Sequence, residues 1–381
     1  MNRPVFSRRD FAKTVGGSLA AAMYAPYLRA AQGARHQHLA PAGAIHINFN
    51  ENPYGPSPKA LAALATCGGI AARYPDSAYF ALTDALAKKH GVKRENIALG
   101  CGSTEILCIA DEAFLAPGKN VVAADPTFEA VIEYVNAAHG EAVKVPLTHD
   151  YRHDLNAMAD RCTAETGLVY VCNPNNPTGT IVSRDELAAF VNRVPRSATI
   201  LVDEAYFEFA TDPRYGTAID LIAQHPNVVV SRTFSKVYGM AGMRLGYGVG
   251  TKEAIKRLQP YNLTPFNGNA AVLAAAHASL SDEEHISECG KKMNDTRAWL
   301  CERLAKDGRK YIPSQANFVM IDMNADVQPI VDKFYDRKIL VGRRFAAMPT
   351  FLRVSIGTRP EMEQFVAALA EIVPSKAEGA A

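Results

Sequence analysis

Short apolar runs recur along the chain, and between them apolar residues return every three or four positions. Ile45-His46-Ile47-Asn48-Phe49 alternates apolar with polar and predicts a half-buried strand. Nearly uninterrupted apolar runs follow at 97–100, 121–124, 143–146, 168–172, 199–203 and 228–231, as expected of strands buried on both faces. Helical periodicity fills 59–66, 80–90, 106–114 and 184–194, with Gly91 as a stop after the second. This alternation predicts an α/β fold with a mostly parallel sheet between helices. From 270 to 304 the pattern is helical; strands over 318–321 and 352–356 then flank a helix over 327–337, and a last helix covers 360–373. The expected organisation is a large domain over 81–269 and a smaller α+β domain over 270–381, which the segment 35–80 joins. Within that segment, Asn50-Glu51-Asn52-Pro53-Tyr54-Gly55-Pro56-Ser57-Pro58 is proline-rich and non-helical, and Arg73-Tyr74-Pro75-Asp76 is a turn.

Composition narrows the function. Hydrophobic residues make up 48% of the 381 positions and charged residues 21%, which is ordinary for a globular enzyme. A net charge of +2 without a long basic run gives no expectation of a nucleic-acid partner. The 7 cysteines show no Cys-x-x-Cys spacing and the 10 histidines are dispersed, so no metal site is expected.

The first residues read differently. Ser7-Arg8-Arg9-Asp10-Phe11-Ala12-Lys13 precedes a weakly apolar Ala/Gly-rich run and the small-residue stretch Ala30-Ala31-Gln32-Gly33-Ala34. Residues 1–34 resemble a twin-arginine export signal, which implies a periplasmic destination; a cytoplasmic one is the alternative. The run is too short and Gly-rich for a permanent membrane anchor.

The candidate chemistry is centred on one amine. Val228-Val229-Val230-Ser231-Arg232-Thr233-Phe234-Ser235-Lys236 runs a β-branched strand into a small polar turn that ends in Lys236. Leu201-Val202-Asp203-Glu204-Ala205-Tyr206 places Asp203 at a strand's C-terminal end, where α/β sheets bind ligands. Gly102-Ser103-Thr104 opens a helix, whose free N–H groups and dipole favour an anion. Taken singly, each has a bland reading: a surface lysine, a helix cap, a common glycine turn.

Together with Asn173-Pro174-Asn175-Asn176-Pro177-Thr178-Gly179, these stretches resemble the fold-type-I pyridoxal-phosphate aminotransferases, and within them the histidinol-phosphate aminotransferase group. The resemblance extends from about Asn48 to Pro374. It implies pyridoxal 5'-phosphate as cofactor, an amino donor and a 2-oxo acid acceptor as substrates, and a homodimer. Lys236 would form the Schiff base and move the proton, its pKa lowered by a desolvated pocket and Arg244. Asp203 would keep the pyridine nitrogen protonated. Tyr206 and Asn176 would hydrogen-bond the phenolic oxygen, and Phe128 would stack on the ring. Gly102, Ser103, Thr104, Thr233, Ser235 and Arg244 would hold the phosphate. Arg353 would grip the donor's carboxylate or phosphate, with Arg343, Tyr54 and Asn52 also toward the substrate. Tyr74 and Tyr54 match positions that reach across a dimer interface.

The chain departs from that group's pattern at Cys101 and Thr104, where Asn and Asp are usual, and at Gly342, which intervenes between Val341 and the pair Arg343-Arg344. The rival functions are a decarboxylase or lyase of the same fold, such as a threonine-phosphate decarboxylase, and a pyridoxal-phosphate-binding protein without turnover.

Overall fold

The computed structural model describes residues 40–137 and 140–374; the leader-like stretch lies outside them. The strands are β1 (Ile45–Ile47), β2 (Ile97–Gly100), β3 (Asn120–Asp125), β4 (Glu141–Pro146), β5 (Thr166–Cys172) and β6 (Thr199–Asp203), followed by β7 (Val228–Thr233), β8 (Gly246–Val249), β9 (Tyr311–Ile312), β10 (Phe318–Asp322), β11 (Ile339–Val341) and β12 (Phe351–Ser355). Seven of them form one sheet in the order β2-β8-β7-β6-β5-β3-β4. It is parallel from β7 through β6, β5 and β3 to β4, whereas β8 runs antiparallel to both β7 and β2. The expected α/β architecture with a mostly parallel sheet is present. The apolar-run criterion passed over β8, because Gly246-Tyr247-Gly248-Val249 is half glycine. Gly246 is required there: a Cβ would lie 2.2 Å from the Ser103 backbone nitrogen.

Side chains alternate between two buried layers, because successive strand residues point to opposite faces. Tyr170, Cys172, Leu201 and Val229 pack with Ile106, Leu107 and Ala110 of the helix Ser103–Phe114. Val169, Val171, Ile200, Val202, Val228 and Val230 pack on the opposite side with Leu86, Leu187 and Phe190. Burial of each such Val, Leu or Ile contributes about 1.5–3 kcal/mol, which is why strands covered on both faces read as unbroken apolar runs.

A second sheet, β12-β10-β9, is antiparallel. The helices Ala270–Leu280, Glu283–Lys306, Gln328–Asp336 and Arg359–Ile372 accompany it in the chain. β1 pairs parallel to β11, with Ile45 opposite Ile339 and Ile47 opposite Val341. The pairing draws the N-terminal segment to the C-terminal part of the chain and feeds residues 48–52 toward the ends of β6 and β7.

One buried ion pair locks those ends together. Glu204 Oε2 accepts from Arg232 Nε at 3.0 Å and Nη2 at 2.7 Å, and from Thr217 Oγ1 at 2.9 Å. Glu204 Oε1 accepts from Ala218 N at 2.6 Å, and Arg232 lies over the Phe207 ring at 3.7 Å. Truncation of one partner strands the other charge in the core. Arg232→Met is expected to destabilise the fold by about 3–5 kcal/mol, to be checked by chemical denaturation of the purified protein.

Candidate active site

Lys236 stands just beyond β7 with its side chain half-buried. Its Nζ donates to the carbonyls of Phe49 at 3.2 Å and Asn50 at 3.0 Å, and lies 5.5 Å from the Tyr206 ring centroid. Loss of water from around the ammonium lowers the pKa to about 8, helped by the like charges of Arg353 and Arg244 and opposed by Glu51 and Asp203. Burial is thus the leading cause, and Arg353 outweighs the Arg244 expected from sequence.

Asp203 is the last residue of β6 and 3% exposed. Each carboxylate oxygen is filled by a hydroxyl from a neighbouring strand: Tyr170 of β5 donates to Oδ2 at 3.0 Å, and Ser231 of β7 donates to Oδ1 at 2.9 Å. Burial raises the acid's pKa, while these hydroxyl donors pull it back. Neither partner was singled out from sequence. The available signals were a tyrosine inside a fully buried strand, whose hydroxyl must find a partner, and a serine ending a β-branched run.

The helix Ser103–Phe114 begins beside them. Gly102 occupies its N-cap at φ 74 with no side chain to cap it, so the first N–H groups are left for another acceptor. A Cβ at Gly102 would lie 2.3 Å from Arg244 Nη2. Arg244, itself at φ 55, donates through Nη1 to Ser235 Oγ at 3.3 Å and Ala241 O at 2.9 Å. Gly102, Ser103, Ser235 and Arg244 therefore meet, and Thr104 follows in the same helical turn. The Thr233 hydroxyl accepts from Ser235 N at 3.0 Å and shapes the turn that presents Ser235 and Lys236.

Arg353 on β12 is 8% exposed. It donates through Nη1 to Asn176 Oδ1 at 2.7 Å and through Nη2 to Asn48 O at 2.9 Å, and its buried Nε lacks a protein partner among the described residues. Desolvation pulls its pKa down to about 10. Bonded in this way, Asn176 keeps its amide N–H₂ to donate. Tyr206, its pKa raised by burial, accepts from Asn50 Nδ2 at 3.0 Å and keeps its own O–H to donate.

Asn50, missed as a site residue in the sequence, is the hub of this region. At φ 56 it receives the Lys236 ammonium and the Asn317 amide (3.0 Å) on its carbonyl, bonds Tyr206, and exchanges bonds with Ser355 at 2.8 and 2.9 Å. Its tolerance of a left-handed backbone was the sequence signal.

Other candidates lie at the edges. Phe128 is half-buried beyond β3 and packs on the layer containing Tyr170 and Cys172, the Asp203 side of the sheet. Asn52 spends its amide on Val237 O at 2.8 Å and its oxygen on Tyr54 N at 2.9 Å, clamping the N-terminal segment to the turn after Lys236. The Tyr54 ring sits 5.5 Å from Lys292 Nζ. Tyr74 is 88% exposed, and among the described residues no hydrogen bond joins it to Lys236, Asp203 or Arg353. Arg343 pairs with Glu129.

The residues fit pyridoxal phosphate. An uncapped helix start with Ser235 and Arg244 suits the phosphate, a braced buried carboxylate suits a ring nitrogen, and an amine of lowered pKa suits an aldehyde. Comparison with known proteins agrees. Residues 43–369 match the family described as aminotransferase class I and II. The chain is 42% identical over 335 residues to a histidinol-phosphate aminotransferase of Moorella thermoacetica, covering 86% of this chain and 85% of the relative. It is 38% identical over 330 residues to that of Brevibacillus brevis, covering 86% and 90%. The crystal structure of histidinol-phosphate aminotransferase from Sinorhizobium meliloti in complex with pyridoxal-5'-phosphate superposes with a TM-score of 0.81 at 31% identity, over 87% of this chain and 91% of that one. The chain belongs to the class I and II aminotransferases and is a pyridoxal-phosphate-dependent enzyme.

Proposed function

We propose that the chain moves an amino group from a donor with an anionic end to a 2-oxo acid, and that Lys236, Asp203, Tyr206 and Arg353 carry the reaction. The reading rests above all on the placement of the Lys236 amine just beyond β7, 3.0 Å from the Asn50 carbonyl and 5.5 Å from the Tyr206 ring centroid, where burial and then the Arg353 charge lower its pKa to about 8. Pyridoxal phosphate, when bound, supplies an aldehyde that takes the amino group and a ring that accepts the electrons of the broken C–H bond. Lys236, partly neutral, takes the proton from the donor's α-carbon and returns it to the cofactor side. Asp203 holds a proton on the ring nitrogen, its charge kept by the Tyr170 and Ser231 hydroxyls. Tyr206 and Asn176 donate to the phenolic oxygen. The N–H groups at Ser103 and Thr104, with Ser235 and Arg244, bind the phosphate. Arg353 meets the donor's anion, toward which its unpartnered Nε is available.

Histidinol phosphate is one donor reading, supported by the names of the relatives. An α-amino acid is the second, favoured by Gly342, where a Cβ would lie 2.5 Å from the Arg353 carbonyl oxygen. No arginine side chain fits at that position.

We further propose a homodimer whose sites are completed by Tyr74 of the neighbouring copy. Tyr74 is 88% exposed, and Phe49, Leu61, Phe80 and Leu263 also leave apolar surface uncovered on the single chain.

Lys236 is expected to couple to the cofactor aldehyde at a rate that rises with pH and is half-maximal near about 8 rather than 10.5, because only the neutral amine reacts. Borohydride trapping across pH measures this, and a label on another residue sinks the reading. Arg353→Ala should raise KM about 10- to 100-fold for donors of either kind; unchanged KM removes it from the site. Analytical ultracentrifugation should give twice the chain mass, and a fully active monomer excludes a shared site.

A further inference from the structure

The loop after β11 offers the site a second cation. Gly342 N donates to Arg353 O at 2.9 Å, and no side chain fits at that position. The cation comes from Arg343 instead. Its guanidinium lies 4.4 Å from the Phe345 ring centroid, and that of Arg353 lies 5.1 Å from the same centroid. Both cations therefore share one buried ring and sit near one another. Arg344 is occupied elsewhere, donating to Asp326 Oδ2 at 2.8 Å.

Arg343 is not free to act as a second unit of positive charge. Its Nη2 pairs with Glu129 Oε2, and its Nη1 donates to Arg344 O at 3.2 Å. Glu129 follows Phe128 in the segment beyond β3, so the pair joins the loop leaving the large sheet to the β11–β12 loop. Half-exposed ion pairs of this kind contribute little to stability. A negative charge beside an anion site does affect selection, because discrimination rests on repulsion as much as attraction. Arg353, Arg343 and Glu129 together carry one net positive charge, and the nearby Glu133, its pKa raised by burial and by Glu129, adds no further positive charge. That matches a single carboxylate, whereas a phosphate ester carries about 1.5–2 negative charges at neutral pH.

We propose that Glu129 is a specificity-determining residue: by neutralising Arg343 it selects donors that present one carboxylate and disfavours donors that present a phosphate ester. The inference rests on the reading that Arg353 meets the donor's anion, and it deepens that reading by naming the donor class as α-amino acids.

The test compares kcat/KM for histidinol phosphate and for α-amino acids, with a 2-oxo acid acceptor, in the holoenzyme and in Glu129→Gln. The wild type should favour the amino acids. The ratio of histidinol phosphate to amino acid should rise about tenfold or more in Glu129→Gln, through KM, and the gain should shrink at high salt. It should vanish in the double variant Glu129→Gln/Arg343→Gln. An unchanged ratio overturns the proposal, and so does a gain that survives loss of Arg343. Calorimetric titration of inorganic phosphate into the holoenzyme makes the same comparison without turnover: tighter binding by Glu129→Gln is expected, and equal binding overturns the proposal. Failure of the underlying reading shows separately, as an Arg353→Ala variant whose KM is unchanged for both donors.

Discussion

The site depends on one residue held in an unusual backbone. Asn50, at φ 56, bonds Tyr206 from the end of β6, Ser355 from β12, Asn317 beside β10, and the ammonium of Lys236 beyond β7. These pieces are far apart in sequence, and a single buried asparagine satisfies polar groups from all of them. Buried polar groups left without partners cost about 1–3 kcal/mol each, so such a hub specifies geometry strongly. The β1–β11 pairing delivers Asn50 to this point, so the N-terminal segment is part of the site.

Around that hub the charges are arranged by solvation. Lys236 and Arg353 are both cations in a poorly hydrated region, and burial leads the fall in pKa for each. For the lysine the effect leaves a fraction of neutral amine near neutral pH. The arginine keeps its charge at neutral pH even with its pKa lowered to about 10. Asp203 faces the opposite problem, since burial alone would neutralise it. The Tyr170 and Ser231 hydroxyls resist this by hydrogen-bonding its charged form.

The large sheet separates scaffold from chemistry by face. On β5, β6 and β7 one face presents Tyr170, Asp203 and Ser231 toward the helix whose N-terminus is left uncapped. The other presents Glu204 and Arg232, paired in the core with every close contact satisfied by Thr217, Ala218 and Phe207. Residues adjacent in sequence thus serve opposite layers, because the strand period is two. The ion pair fixes the relative position of the strand ends, and Asp203 and Lys236 inherit that position.

Local pattern alone determined much of this protein. Runs rich in β-branched residues between turn signals favour buried strands, so the sheet and much of its helical cover were legible; Lys236 and Asp203 stood out at strand ends, whereas Asn176 and Arg353 were named only through the resemblance to a family. The glycine-rich β8 escaped because its place is set by the close approach of Ser103 to Gly246, a contact between segments far apart in the chain. Asn50, Tyr170, Ser231 and Glu129 escaped for the same reason: each looks ordinary beside its sequence neighbours. Only the folded chain decides that Ser231 stands opposite Asp203, that Arg343 is already paired with Glu129, and that Asn52 clamps the turn after Lys236. Hydrophobic periodicity is a property of consecutive residues, whereas a polar group's partner is chosen by tertiary proximity.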